Sequence, residues 1–277
     1  MALGPLRLID AARVARIARS MHPDIVHVHW VPNGVVGLMV RTPWVLHVHG
    51  SDIRGLGPLR RYPFHLLMRA ATRVVYATPD LARWVLPVRP DADYLPAPID
   101  ERTSSPGREW DVVVASRAAA SKGSAVAAAT VERLLREDPR LRIAAVDGPD
   151  FSSLAVRLPF GAKEAFVERL ARSRVVVGQF RVPALGISEL EAMSVARPVV
   201  TNVDLSLYPD PPPVVVARTA EDAALGVRRL LDSPGEADAL GLAGQQWVRN
   251  QHSPAAVGSR ALAVYHRAIA QGDVAIP

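Results

Sequence analysis

The sequence has no cysteine in its 277 residues, which excludes a disulfide framework, a zinc-thiolate centre and a cysteine nucleophile together. Lysine is nearly absent too: Lys122 and Lys163 are the only two among 33 basic residues. Where arginine has replaced lysine almost everywhere, a lysine kept in a loop marks a place that wants a compact, flexible ammonium. Aromatic residues make up 5% of the chain, too few for the stacking platforms of a nucleic-acid surface, so nucleic acid is not an expected partner. No apolar run approaches the ~20 residues of a membrane span. The first residues also lack the basic, apolar, small-residue order of a signal peptide, and the expected location is cytoplasmic.

What is present is an ordinary globular composition, 49% hydrophobic and 22% charged, on a chain long enough for two modest Rossmann-like domains. The net charge of +6 is uneven, because residues 1–100 carry 12 Arg against 7 Asp and hold +5 of it. The basic stretch Arg54, Arg60, Arg61, Arg69 and Arg73 reads first as a solvated face and second as a surface for anionic lipid at the inner membrane face.

Hydrophobic spacing at Leu6, Ile9, Ala12, Val14, Ile17 and Ala18 predicts a helix that closes at Met21-His22-Pro23. Ile25 to Trp30 reads as a buried strand followed by a Pro32-Asn33-Gly34 turn, and Trp44 to His49 as a second strand. A helix over 59–71, a strand over 73–77, a short helix from Pro79 and an extended 94–98 complete a domain of residues 1–100. Residues 101–109 are polar and turn-rich, the composition of a linker. The alternation restarts with strands at 111–115, 141–146, 174–179, 198–202 and 214–217, interleaved with helices at 124–137, 163–172, 188–195, 220–231 and 235–250. It defines a second domain, 110–253, followed by a helix and tail over 254–277 suited to cross back over both domains. Helix and strand in alternation indicate an α/β class with parallel sheets covered on both faces.

Ligands of such sheets sit outside the carboxyl ends of the strands. The strand Asp111–Ala115 runs into Ser116-Arg117 and then Ser121-Lys122-Gly123 before a helix, so two cations five residues apart can aim at one point, and a diphosphate is the natural occupant. The later strand, glycine-containing loop and helix around Gly186, Ile187 and Ser188 offer free backbone N–H groups and a positive dipole end as further phosphate ligands.

Leu190-Glu191-Ala192-Met193 followed by Pro198-Val-Val, with Arg117 and Lys122-Gly123 upstream, resembles the donor domain of family-4 retaining glycosyltransferases. The resemblance extends in order to the segments Pro23–His29, His49–Asp52, Leu95–Asp100 and Asp147-Gly148-Pro149. It implies a GT-B-like fold of two Rossmann-like domains with the donor in the cleft between them. Arg117 and Lys122 then grip the donor diphosphate, Glu191 the nucleotide ribose, and backbone at Gly186, Ile187, Ser188, Gly148 and Pro149 the donor, while His49 faces the sugar or its phosphate. The implied reaction moves a hexosyl unit from a UDP- or GDP-type sugar to the hydroxyl of a small-molecule, glycan or lipid-linked acceptor. Configuration is retained, and neither metal nor cofactor is required.

Three departures qualify this expectation. Pro183 stands where the family has a donor-contacting Glu, eight positions before Glu191, and Glu189 lies about 200° around the helix from Glu191. Ala196 stands where a glycine is expected at a left-handed cap, at a cost of ~1 kcal/mol. The first domain opens on a helix where the family has a strand and a glycine-rich loop, which implies a naturally short domain, a late start codon or a partner chain that supplies the missing units. A rival reading is therefore a degenerate nucleotide-sugar-binding subunit. A remoter one is a metal site, since His27 and His29 share one strand face and His47 and His49 repeat the arrangement on the next strand. Without carboxylates at defined spacing, lining of a polar cleft ranks above it.

Overall fold

The computed structural model describes residues 5–102, 107–116, 122–146, 155–158 and 162–274. Contacts divide the chain into two compact units, Met1–Ala97 with Val257–Pro277, and Pro98–Ala256.

The first unit carries α1 (Pro5–Ser20), β1 (Val26–His29), α2 (Gly34–Met39), β2 (Trp44–Val48), α3 (Pro58–Ala70), β3 (Arg73–Tyr76), α4 (Ala82–Val85) and β4 (Asp93–Tyr94). Its four strands pair in parallel in the order β1-β2-β3-β4. The period-two alternation of strands splits their side chains between two cores. Val28, Leu46, Val48 and Val74 pack with Leu67 and Met68, whereas Val45, Val75 and Leu95 pack with Val257, Val264 and Ala268 of the last helix, α10 (Pro254–Val274). Two local features differ from the sequence expectation. The Pro32–Gly34 turn is a short 3-10 helix that continues into α2, because the turn residues leave the chain already in helical backbone. The spacing that announces α1 does not announce a buried face: Ile9, Val14 and Ile17 are exposed and Ala15 is buried.

The second unit carries β5 (Trp110–Val114), α5 (Ser124–Glu137), β6 (Ile143–Val146), β7 (Val156–Leu158), α6 (Lys163–Ala171), β8 (Ser173–Val177), α7 (Ile187–Ser194), β9 (Val199–Thr201), β10 (Val215–Val216), α8 (Ala220–Asp232) and α9 (Pro234–His252). Its six strands are parallel in the order β10-β9-β8-β5-β6-β7. The valine runs of β5 and β8 are buried on both faces, the signature of a sheet covered by helices on each side. Val113, Val176 and Val199 meet Leu190, Met193 and Trp247 on one side, and Val112, Val175 and Val200 meet Val131, Leu134 and Leu230 on the other. Strand β7 has only three residues and gives no sequence signal. Within the expected linker, Arg108 pairs with Asp238 at 2.9 Å and Glu109 N–H donates to the Arg172 carbonyl at 2.8 Å, both inside this unit.

Candidate functional site

In the second unit the chain winds outward through β5, β6 and β7, then returns to the other side of β5 for β8, β9 and β10. The strand order reverses between β5 and β8, so the connections leaving those two strands diverge and open a crevice at their carboxyl ends. One wall is the loop that ends in Lys122-Gly123 and feeds α5; the other is the stretch 178–186 that feeds α7. Arg117, and Gly148 and Pro149 beyond β6, lie outside the described residues.

The two walls are stitched together by main chain. Phe180 N–H donates to the Lys122 carbonyl at 2.9 Å. Gly123 follows with φ +74°, and a Cβ there would come within 3.0–3.3 Å of Phe180 and the Arg181 nitrogen, so both the conformation and the approach require glycine. The turn sends Lys122 across the crevice: its Nζ lies 3.8 Å from where a Cβ on Gly186 would stand. The ammonium thus sits at the N-terminus of α7, beside the positive end of that helix.

The 178–186 wall is held rigid from inside by two residues that sequence reasoning assigned no site role. Gln179, 1% exposed, accepts from Arg181 N–H and Val182 N–H at 2.8 and 2.7 Å and donates to the carbonyls of Val182, Ala184 and Asn202. Glu189, 2% exposed, accepts from Gln179 N–H at 2.8 Å through Oε1 and from Gly186 N–H at 2.9 Å through Oε2. The second bond is half of a capping box; glycine has no side chain to complete it. A Cβ on Gly178 would lie 2.7 Å from the same carboxylate, so the strand end must be bare for Glu189 to reach it. Of the three N–H groups expected to face a ligand, that of Gly186 is therefore engaged within the protein, and those of Ile187 and Ser188 open the first turn of α7. Glu189 faces its own loop and is not presented in place of the carboxylate absent at Pro183. The far end of α7 closes in a Schellman motif, with Ala196 N–H to the Met193 carbonyl at 2.9 Å and Arg197 N–H to the Ala192 carbonyl at 3.0 Å. Ala196 sits there at φ +55°.

Glu191 is 5% exposed on α7. Burial raises its pKa above the ordinary carboxylate value; Lys163 and Arg102 pull it down, and Asp100 and Glu189 push it up. Lys163 Nζ pairs with Asp100 at 3.0 Å, and Arg102 reaches Asp100 and Glu164 at 3.9 and 3.8 Å. Lys163 therefore belongs to the charge cluster around Glu191, and Lys122 to the α7 N-terminus.

His49 belongs to the first unit, just past β2. Asp52, 7% exposed, fixes that corner by accepting from Val31, His49 and Gly50 N–H at 2.9, 3.3 and 2.7 Å. The His49 ring stacks on His47 with centroids 4.2 Å apart, and its Nε2 lies 2.8 Å from His29 Nδ1. Burial, then the neighbouring His29, lowers its pKa, with Asp52 opposing.

Residues 2–95 match the family described as glycosyl transferase 4-like domain. Comparison with the curated proteins gave no match. Among solved structures, HepE from Anabaena, in complex with UDP and glucose, is 15% identical with a TM-score of 0.76 over 95% of this chain and 83% of HepE. Sucrose-phosphate synthase from Thermosynechococcus elongatus is 16% identical, with a TM-score of 0.73 over 95% and 79% of the two chains. TarM from S. aureus is 13% identical, with a TM-score of 0.70 over 87% of this chain, which spans only 54% of TarM. The chain has the GT-B fold of these glycosyltransferases, and its residues 2–95 carry the match to the glycosyl transferase 4-like domain.

Proposed function

We propose that the protein transfers a hexosyl unit from a nucleoside diphosphate sugar to an acceptor hydroxyl, with retention of configuration and with protein cations in place of a metal at the diphosphate. The observation that carries this reading is the placement of Lys122 Nζ at the N-terminus of α7, across the crevice where the strand order reverses. As the bond between the anomeric carbon and the diphosphate oxygen breaks, negative charge grows on the leaving diphosphate. A fixed ammonium and the N–H groups of Ile187 and Ser188 stabilise that charge more than they stabilise the bound donor, which is what accelerates the step. Arg117 joins them by the sequence resemblance. Glu191, buried on the same helix, is the acceptor for ribose hydroxyls. HepE, solved with UDP and glucose, supports a uridine donor as the first to try.

The test is titration with UDP, GDP and their sugars, with release of nucleoside diphosphate followed for a panel of hydroxyl acceptors. Lys122→Ala should cost roughly 10²–10³ in rate, and Lys163→Ala far less; equal, negligible losses would remove the assignment. Pro183 and the engagement of both Glu189 oxygens within the loop favour a second reading, a nucleotide-sugar-binding subunit that needs a partner chain. Tight nucleotide binding with no turnover for any acceptor supports it.

A further inference from the structure

Outside the donor crevice, the first unit gathers four imidazoles on one face of its sheet. Alternation along β1 and β2 puts His27, His29 and His47 on the side that packs against α10, and the register sets His29 directly beside His47. Ring centroids lie 4.5 Å apart for His27 and His29, 5.3 Å for His27 and His47, and 5.2 Å for His29 and His47. One nitrogen from each of the three rings lies within 4.8 Å of the others.

We propose that His27, His29 and His47 form a binding site for one divalent transition-metal ion, zinc in the first instance, that pins β1 to β2. Zinc bonds to imidazole nitrogen at about 2.0–2.1 Å, so the rings of His27 and His29, stacked 8° from parallel, turn about χ1 and χ2 to aim their nitrogens at one ion. The partners of these rings are what a ligand set requires. Both ring nitrogens of His47, which is 6% exposed, and Nε2 of His27 are buried without a hydrogen-bond partner among the described residues. The Leu95 main chain lies near His47 but in a geometry too poor for a hydrogen bond. A buried polar nitrogen left unmet destabilises the fold, and a metal bond is one way to meet it.

His27 already has its supporting contact. Its Nδ1 lies 2.7 Å from the Tyr265 hydroxyl; with Nδ1–H donating there, the lone pair sits on the orphaned Nε2, the outer-sphere arrangement usual for metal-bound histidine. His49 supports His29 in the same way through the 2.8 Å contact between their nitrogens. Three imidazoles without a thiolate select zinc, cobalt, nickel or copper over magnesium or calcium. His27 and His29 also line a cavity of about 460 Å³ that Leu8, Val14 and Trp30 share.

The test uses untagged full-length protein stripped with a chelator and dialysed. Zinc is titrated by calorimetry, cobalt by visible absorption, and bound metal is counted by mass spectrometry. One equivalent should bind, with the ligand-field bands of a low-coordinate cobalt centre. His29→Ala, chosen because its side chain is exposed, should abolish binding while circular dichroism stays unchanged. Tyr265→Phe should weaken binding by ~10–100-fold, and His65→Ala should leave it as it was. A folded wild type that binds no equivalent of zinc, or binding that His29→Ala and Tyr265→Phe leave untouched, overturns the proposal. Nucleotide titrations of the stripped protein report on the diphosphate site separately, so either proposal can fail alone.

Discussion

Replacing Glu189 with glutamine separates a residue that builds the wall of the proposed donor crevice from one that touches the donor. The carboxylate accepts from two main-chain N–H groups, Gln179 at 2.8 Å and Gly186 at 2.9 Å, and is 2% exposed. A glutamine keeps one acceptor oxygen but turns an NH2 toward an N–H that needs an acceptor. A charge-assisted bond is worth about 1.5–3 kcal/mol, and the buried group left unmet adds about 1–3 kcal/mol. Allowing for relaxation, Glu189→Gln should cost about 3 kcal/mol, a fall in Tm of roughly 6–12 °C for a unit of this size. Nucleotide affinity should fall with it, since the loop carrying Gly186 loses its anchor. The assays are thermal unfolding by circular dichroism and calorimetric titration with UDP. A variant with unchanged Tm but reduced turnover would refute the reasoning and place Glu189 on the donor sugar.

Ala196→Gly should raise stability by about 0.5–1 kcal/mol, because φ +55° costs an L-residue about 1–2 kcal/mol and glycine gives back part of that in unfolded-state entropy; urea midpoints of the two proteins check it. Gly123→Ala should do the reverse, since φ +74° and a contact of 3.0 Å with Phe180 coincide, and loss of UDP affinity alongside a lower Tm is the expected pair of readings. Burial raises the folded-state pKa of Glu191, so the folded chain keeps a proton that the unfolded chain has released, and stability falls as pH rises from the ordinary carboxylate value through the raised one. Glu191→Gln should remove that slope, measured as unfolding free energy against pH, while UDP binding by the wild type should weaken as pH falls through the same window.

The second unit was the more legible in sequence because its strands are unbroken valine runs and its helices are long. Val112–Val114 and Val175–Val177 read as strands buried on both faces, and the left-handed cap at Ala196 was expected from the resemblance, which has a glycine there. A helix wheel already turned Glu189 away from Glu191, but the Glu189 bonds to Gln179 and Gly186 depend on where a strand end and a loop meet in space, which no local pattern encodes. The same holds for the histidines: alternation pairs them within each strand, and only the register of β1 on β2 sets His29 beside His47. Short or glycine-containing elements, β7 and α2, gave too few residues for a period to show.

The bond from Phe180 N–H to the Lys122 carbonyl makes no use of what either side chain is. A substitution at exposed Arg181 can therefore change what the crevice wall presents to a bound molecule while the two walls keep their spacing. Selectivity and scaffold are free to evolve along separate tracks, the first in side chains and the second in the peptide backbone.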